Sequence, residues 1–311
     1  MKKTPIIVIV GPTASGKTAL SVLLAKKFDC EIVSFDSMQV YKELSVSTAK
    51  PDLAEMDGVP HHLIDNLSVS ENFSVATFCE MAKSAVKDII SRNKTPLFVG
   101  GTGLYIDSFV NNINFENIDK NDEVREKINN LEKEIGTDGL YKRLIEVDNK
   151  AAENIHPNNI KRVKRALEIY YSSGVTKTEQ DENSMKNSSP YKPLFIGINY
   201  KNRENLYNRI NLRVDKMIEN GLVNEAREFY KLPFSKTASQ AIGCKELKPF
   251  IDGEKSLDEC VEKLKQETCR YAKRQITWFK RNKEINWYYP DEQNYDIIVN
   301  SCISLIKNFL K

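Results

Sequence analysis

Residues 11–18, GPTASGKT, have the types and spacing of a loop that binds phosphate groups. The loop follows an apolar run and precedes a helix-like stretch, which is the context that such a motif requires. Glycines allow backbone N–H groups to turn toward an anion, Lys17 supplies a positive charge, and the Thr18 hydroxyl can join the coordination of magnesium. The residues predicted to bind the phosphates are Gly11, Pro12, Thr13, Ala14, Ser15, Gly16, Lys17 and Thr18.

A carboxylate, Asp36, follows the next apolar run, EIVSF. In a parallel sheet the carboxyl ends of neighbouring strands open onto one ligand crevice, so Asp36 is expected to face the phosphate loop. There it could act as a ligand to magnesium or as a general base. A purely structural role, as the N-cap of a short helix beginning at Ser37, stays open.

The third apolar run, TPLFVG, leads into Gly100-Gly101-Thr102-Gly103. A motor ATPase commonly carries an acidic residue at this point to hold magnesium, and here glycines and a threonine stand instead. The glycines alone would be explained by a strand-to-helix turn. Beside Lys17 and Asp36, the segment is expected to form the third wall of one pocket.

The histidines, cysteines and apolar runs exclude several classes of protein. His61 and His62 are adjacent, so on an extended segment they point opposite ways; one is expected to be packed and the other could line the site. The six cysteines are scattered without a CxxC pair, which favours free thiols in a reducing compartment. No apolar run reaches the length of a membrane span, so a cytoplasmic protein without membrane contact is expected.

The order of strand and helix signals predicts an α/β fold with an insertion. Alternation of the two signals over the N-terminal third indicates a parallel sheet flanked by helices. Residues 115–190 read as an all-helical insertion domain, which leaves 1–114 and 191–311 as the core. Within the insertion the polar stretch 174–193 is predicted to be a loop. Long helical patterns are predicted at 203–230 and 256–282.

Charge is concentrated in two segments, although the net charge is only +3. Lys161-Arg162-Val163-Lys164-Arg165 opens one helical run. The stretch 268–283 contains no acid and combines basic with aromatic side chains: Arg270, Tyr271, Lys273, Arg274, Trp278, Phe279, Lys280, Arg281 and Lys283. Charge runs are usually solvated helix faces, but interleaved aromatic rings suit stacking on unpaired nucleotides. A phosphate pocket with basic flanks therefore favours RNA as a substrate.

These motifs together resemble the tRNA dimethylallyltransferases (tRNA isopentenyltransferases) of the bacterial type along nearly the whole chain. The matching stretches are GPTASGKT, DSMQVYK followed by TAKP, PHHLID, VGGTGLYI, RVKRALEIY, INLRVDKMIENGLVNEA, QAIGCKEL and YAKRQITWF. The resemblance implies a P-loop NTPase-like core whose phosphate loop holds an isoprenoid diphosphate. It also implies transfer of a dimethylallyl group from dimethylallyl diphosphate to the exocyclic amine of the adenosine 3′-adjacent to the anticodon, in tRNAs that read codons beginning with U.

The resemblance also assigns roles to single residues. Lys17, with Mg²⁺, would neutralise the leaving diphosphate, Asp36 matches the general base, and Thr102 matches a contact to the target nucleotide. The catalytic residues implied are thus Lys17, Asp36 and Thr102. The contacts implied for tRNA, partly on the insertion at the anticodon arm, are Asp36, Ser37, Met38, Gln39, Thr102, Arg125, Lys161, Arg162, Val163, Lys164 and Arg165. A monomer is expected.

The chain departs from the family pattern at two positions. Cys244 replaces an aromatic residue in AIGCKE, and Cys269 replaces an arginine before Arg270-Tyr271. If relatives use that ring and that charge on RNA, the contacts here are weaker or redistributed. The zinc finger of eukaryotic relatives is not found, which favours the bacterial type. Two alternatives stay open: a small-molecule kinase using ATP, and a nucleotide-regulated RNA-binding module without transfer chemistry.

Overall fold

The computed structural model describes residues 3–115, 122–184 and 188–311. Contacts divide the chain into two units, the first formed by Met1–Val110 with Pro190–Lys311 and the second by Asn111–Ser189. The parts of the predicted insertion and loop that fall on 116–121 and 185–187 lie outside the described residues.

A six-stranded parallel sheet forms the centre of the first unit, as the alternating pattern predicted. Its spatial order is β3-β2-β4-β1-β5-β6. The strands are β1 Thr4–Val10, β2 Cys30–Ser34, β3 His61–His62, β4 Thr95–Gly100, β5 Tyr191–Ile198 and β6 Asn286–Tyr288. Strand β1 is apolar along its length because both its faces are covered, and Ile6 through Val10 are fully buried.

Helices connect the strands and cover the sheet. In the first unit they are α1 Lys17–Phe28, α2 Leu53–Met56, α3 Val75–Ser91, α4 Gly103–Val110, α9 Arg203–Glu219, α10 Leu222–Phe229, the 3₁₀ turn Ala238–Gln240, α11 Cys244–Ile251, α12 Leu257–Phe279 and α13 Tyr295–Leu310. Since all strands run the same way, the segments after β1, β2, β4 and β5 begin at one edge of the sheet. That shared edge positions the site.

The helix predicted over 203–230 is two helices, α9 and α10. Gly221 separates them with a φ of 94°, a left-handed conformation that an α-helix does not contain. The helix predicted over 256–282 is observed as α12, which ends at Phe279. Among the described residues, no helix combines the length and apolar character needed to cross a bilayer.

The second unit contains only helices within its described residues. They are α5 Asp122–Val147, which is interrupted at Gly136 (φ 71°, ψ 178°), α6 Asn149–Asn154, α7 Ile160–Ser173 and α8 Lys177–Ser184. A small core of aliphatic side chains from α5, α6 and α7 holds the unit together: Val124, Ile128, Leu140, Leu144, Ala152, Val163, Ala166 and Leu167.

The prediction of a loop over 174–193 is wrong at its centre, where α8 forms. Glu179 accepts hydrogen bonds from the backbone N–H and hydroxyl of Thr176, each at 2.9 Å, and so caps the first turn. The buried carboxylate of Asp148 accepts two more bonds from Thr178. These polar contacts stabilise a helix that has little apolar surface, and apolar periodicity therefore failed to reveal it.

Candidate active site at the carboxyl edge of the sheet

The three segments predicted to face one another line a single cavity of about 180 Å³. It opens at the carboxyl edge of β1, β2 and β4, and every residue that lines it belongs to the first unit. The polar lining is Thr13, Lys17, Thr18, Asp36, Ser37, Gln39, Ser47, Thr48, Arg213, Gln240, Thr268, Tyr271 and Gln275.

The phosphate loop connects β1 to α1. Gly16 has a φ of 92° and ends the loop one residue before the helix, so the first free N–H groups of α1 face the cavity. A Cβ on Gly11 would lie 2.2 Å from the carbonyl oxygen of Ile198, so only glycine allows β1 and β5 to approach this closely. The hydroxyl of Ser15 is buried and has no hydrogen-bond partner among the described residues, and Ser15 does not line the cavity.

Lys17 lies at the floor of the cavity and donates a 2.6 Å hydrogen bond to the carbonyl of Pro12. Burial and the positive charge of Arg213 together lower its pKa to about 7, while Asp36 acts in the opposite direction. The free site thus places Lys17 and Arg213 beside one carboxylate, and a bound anion would favour the protonated form of Lys17.

Arg213, on α9, is a site residue that the sequence reasoning missed. Its Nη2 donates a 3.1 Å hydrogen bond to the carbonyl of Thr48, and burial lowers its pKa while Asp36 acts in the opposite direction. A guanidinium stays protonated at physiological pH, so Arg213 is a permanent charge in the cavity. The sequence signal for Arg213 is its place in INLRVDKM, a stretch that matches the family pattern.

Asp36 follows β2 and is half-buried. Its Oδ1 accepts a 2.9 Å hydrogen bond from the backbone N–H of Met38, so it caps the turn that follows it. The structural role and a chemical role are therefore compatible, because a carboxylate has lone pairs to spare after one such bond. No second hydrogen bond to this carboxylate occurs within the described residues.

Thr102 adjoins Asp36 through the neighbouring backbone. Its Oγ1 accepts a 3.2 Å hydrogen bond from the N–H of Ser37. The phenol of Tyr271 is close by: burial raises its pKa, Asp36 raises it further, and hydrogen bonds to Thr102 and Gln275 lower it. Tyr271 is thus a neutral hydrogen-bonding group beside the carboxylate.

The glycines around Thr102 make room for side chains of the protein. A Cβ on Gly101 would lie 2.0 Å from Nε2 of Gln275, and one on Gly103 would lie 2.1 Å from the ring of Trp278. Gln275 in turn donates to the carbonyl of Gly101 and accepts from the N–H of Thr13, at 3.1 and 2.9 Å. One amide therefore connects the Gly100–Gly103 segment to the phosphate loop.

The cavity also has apolar lining residues, which are Met38, Val99, Val214, Met217, Ala241, Ile242 and Leu264. Cationic and aliphatic groups in one cavity suit a ligand that combines a polyanion with a hydrocarbon.

The metal expected at Thr18 can be tested against the oxygen atoms present. Thr18 and Asp36 both line the cavity, and the described residues hold no cluster of three or more His, Cys, Asp or Glu side chains. Mg²⁺ commonly binds one or two protein oxygens and completes its shell with phosphate and water. The donor set fits magnesium delivered with a diphosphate.

The residues predicted to contact RNA fall into two groups. Ser37, Met38 and Gln39 line the cavity beside Asp36. Arg125 and the 161–165 run belong to the second unit.

In that run, Lys161 and Arg162 are exposed, and neither makes an ion pair within the described part of the chain. Arg165 and Arg125 both pair with Glu168, at 3.0 and 2.7 Å, and so carry less free charge. Lys164 pairs with Glu132. The side chain of Val163 is fully buried in the core of the unit, so its prediction as an RNA contact is corrected to a packing role.

The basic stretch 270–283 covers the end of α12 and the turn after it. Two of its three aromatic rings are occupied, because Phe279 is buried and Trp278 donates to Asp107 at 2.7 Å while Arg281 covers its ring at 3.9 Å. The third ring, that of Tyr271, lines the active-site cavity. Stacking on nucleotides is therefore not expected of Trp278 and Phe279, and it stays a prediction for Tyr271. Lys273 and Lys280 line a second cavity of about 330 Å³.

Neither unusual cysteine is fully exposed, since Cys244 is buried and Cys269 is partly buried. Cys244 is 1% exposed, and burial raises its pKa to about 12. Cys269 packs beside Leu206 and Ala272.

Neither histidine of the HH pair lines the active-site cavity. His62 bonds to Glu31 at 2.7 Å and His61 to the carbonyl of Val59 at 2.8 Å.

The comparisons with known proteins agree with this geometry. A family model described as IPP transferase matches residues 39–282. The tRNA dimethylallyltransferase of Caldanaerobacter subterraneus subsp. tengcongensis is 48% identical over 310 residues, which cover 98% of both chains. The full-length tRNA isopentenylpyrophosphate transferase of Bacillus halodurans is 40% identical, with a TM-score of 0.74 over 99% of this chain and 97% of that one. A eukaryotic dimethylallyltransferase acting on tRNA is 32% identical, with a TM-score of 0.83 over 98% of this chain and 79% of that one. The chain therefore belongs to the IPP transferase family.

Proposed function

We propose that the chain transfers a dimethylallyl group from dimethylallyl diphosphate to tRNA and releases diphosphate. The observation that carries the proposal is one cavity lined by Lys17 and Arg213, by a single carboxylate, Asp36, and by several aliphatic side chains. A small-molecule kinase using ATP would need the same charged groups, but ATP carries a polar ribose next to its phosphates and not a hydrocarbon. Membership of the IPP transferase family supports the same choice.

The donor is expected to bind with its diphosphate on the phosphate loop. The free N–H groups at the start of α1, the ammonium of Lys17 and the guanidinium of Arg213 would share the negative charge. The hydrocarbon would lie against Val214, Met217 and Leu264. Desolvation of the cations makes each contact with the diphosphate stronger than it would be in water.

Magnesium would be held by the hydroxyl of Thr18 together with the diphosphate, and Asp36 is the nearest carboxylate available to it or to its waters. When bound, the ion would add positive charge to the leaving group.

The transfer breaks the bond between the allylic carbon and a diphosphate oxygen, and it forms a bond between that carbon and the amine nitrogen. The electron pair of the broken bond leaves with the diphosphate, whose charge Lys17 and Arg213 stabilise. The amine loses a proton to the carboxylate of Asp36, because an exocyclic amine conjugated with a purine ring is a poor nucleophile. Thr102 and Tyr271, beside this carboxylate, are placed to orient the accepting base.

The acceptor is proposed to be the exocyclic amine of the adenosine 3′-adjacent to the anticodon, in tRNAs that read codons beginning with U. Gln39, in the cavity, offers a donor and an acceptor that suit an adenine edge. A base that reacts inside a protein cavity must leave its stack, so base flipping is expected.

Contacts outside the cavity would bind the rest of the RNA through phosphates. Lys161, Arg162, Lys273 and Lys280 are proposed to contribute, because the described residues give them no carboxylate partner. A monomer is proposed to be sufficient for the chemistry. The enzyme is expected to act in the cytoplasm.

One incubation tests the proposal against both alternatives. Purified protein is mixed with unmodified tRNA, and either dimethylallyl diphosphate labelled in the prenyl group or ATP labelled in its terminal phosphate is added. We expect prenyl label in tRNA and no transfer from ATP. Label moving from ATP to an acceptor would identify a kinase, and RNA binding without transfer would identify a binding module. Nucleoside mass spectrometry of the product, with the position mapped by nuclease digestion, tests the predicted adenosine.

A further inference from the structure

We propose that Glu225 is a positioning residue that sets the diphosphate contact of Arg213 from outside the cavity. The inference rests on the proposed function of the cavity, and Glu225 itself does not line it. It lies on α10, half-buried, and its carboxylate is directed at the backbone of another segment.

The carboxylate of Glu225 accepts hydrogen bonds from three consecutive backbone N–H groups. Its Oε2 accepts from Ser45 at 2.8 Å and from Val46 at 2.6 Å, while Oε1 accepts from Ser47 at 2.8 Å. Three converging N–H donors form an anion-binding concavity, and Glu225 supplies the anion from about 180 residues away in sequence. Bonds to a charged acceptor are about twice as strong as neutral ones, so this carboxylate contributes strongly to the placement of the segment.

The segment held in this way is a turn that forms one wall of the cavity. Lys50 N–H donates to the carbonyl of Ser45 at 3.0 Å, and Ala49 N–H donates to that of Val46 at 2.9 Å. Ala49 has a φ of 40°, a conformation that alanine adopts only when its surroundings impose it. Ser47, Thr48 and Ala49 all line the cavity.

The turn contacts two side chains of the site through one carbonyl group. The carbonyl oxygen of Thr48 accepts from Nη2 of Arg213 at 3.1 Å and from Nε2 of Gln39 at 3.4 Å. It is the only acceptor that the described residues offer to the Arg213 guanidinium within hydrogen-bond distance. If the turn moves, the guanidinium loses the contact that orients it toward the phosphate loop.

Glu225→Gln tests this chain of contacts while it preserves the shape of the side chain. An amide keeps one acceptor oxygen but places an N–H₂ group against backbone donors, so the turn should loosen. We expect the dissociation constant of inorganic pyrophosphate, measured by calorimetry, to rise about five- to tenfold. Glu228→Gln is the matched control, because Glu228 lies on the same helix, is exposed and pairs with Lys231. That variant should bind pyrophosphate as the wild type does.

A double-mutant cycle separates positioning from a general loss of structure. If Glu225 acts through Arg213, then Glu225→Gln should weaken pyrophosphate binding less than about twofold when Arg213 is already glutamine. An equal loss in both backgrounds, or no loss in the wild-type background, would overturn the inference. Should Glu225→Gln fail to fold, Glu225→Asp provides the same cycle, since it keeps the charge on a shorter side chain and is expected to give a smaller loss.

The wild-type protein distinguishes this inference from the proposed function. If the wild type does not bind pyrophosphate or transfer the prenyl group, the proposed function fails and the role of Glu225 falls with it. If the wild type binds pyrophosphate and transfers the prenyl group, but the effects of the Glu225 and Arg213 substitutions are additive, only the proposed role of Glu225 is wrong.

Discussion

The cavity of the first unit and helix α7 of the second unit both present positive charge, but in different ways. In the cavity, Lys17 and Arg213 lie beside one carboxylate, and burial together with the charge of Arg213 lowers the pKa of Lys17 to about 7. On α7, Lys161 and Arg162 are exposed, while their neighbours pair with Glu132 and Glu168. A buried charge interacts strongly with a small ligand such as a diphosphate, because little water screens it. An exposed charge interacts weakly with each phosphate of an RNA, and affinity for RNA is the sum of many such contacts. Single substitutions should therefore have large effects in the cavity and small effects on α7.

The largest effect is expected from Asp36→Asn. The variant keeps the shape of the side chain but cannot accept the amine proton, so turnover with tRNA should fall by about 10²- to 10⁴-fold. The dissociation constant of tRNA should change little, because the base acts in the transition state. Single-turnover transfer and filter binding measure the two quantities. The control is Asp88→Asn, which removes a carboxylate of α3 that pairs with Arg92. If Asp36→Asn kept turnover within a few-fold of the wild type, Asp36 would not be the general base.

A smaller effect is expected from Arg213→Gln. Loss of one charged contact to the diphosphate should raise the KM for dimethylallyl diphosphate about 10- to 100-fold. Lys216→Gln removes the same charge from the exposed side of α9 and should leave this KM unchanged. If both variants raised the KM equally, a charge in the cavity would act on the donor no more strongly than an exposed charge does, which would contradict the contrast between the two kinds of site.

The pH dependence of pyrophosphate binding follows from Lys17. Its folded pKa is lowered to about 7, so in the free protein the ammonium loses its proton as pH rises through that value. A bound diphosphate favours the protonated form, so affinity should be highest below about pH 7 and fall by up to about tenfold per unit above it. Calorimetry across this range measures the effect, with Lys17→Arg as the reference that stays charged. Equal pH profiles for the two proteins would show that Lys17 does not titrate here.

The smallest effect is expected from Arg162→Ala. One exposed phosphate contact should cost a few-fold in tRNA affinity and reduce the slope of log affinity against log salt by about 1. The KM for the isoprenoid donor should not change. Arg143→Ala, which removes an arginine of the same unit that already pairs with Glu146, should leave the slope unaltered. A slope unchanged in Arg162→Ala would mean that this charge faces only water.

The comparison also explains what the sequence could and could not predict. The phosphate loop, Asp36 and the Gly100–Gly103 segment each follow a strand, so a parallel sheet brings them to one edge and local pattern sufficed. Arg213 reaches the same cavity from a helix almost 200 residues later, and no local pattern specifies that packing. The aliphatic positions Val163, Ala166 and Leu167 recur at helical spacing, so the pattern itself could have marked Val163 as a core residue.

The close packing around Gly100, Gly101 and Gly103 limits how this enzyme can change. A Cβ at these positions would lie 2.8, 2.0 and 2.1 Å from atoms of Phe35, Gln275 and Trp278. Even alanine, the smallest replacement with a side chain, therefore forces a neighbour to move, and two of those neighbours belong to α12. In a library of random variants selected for prenyl transfer, these three codons should remain glycine while the adjacent exposed Leu104 accepts many residues.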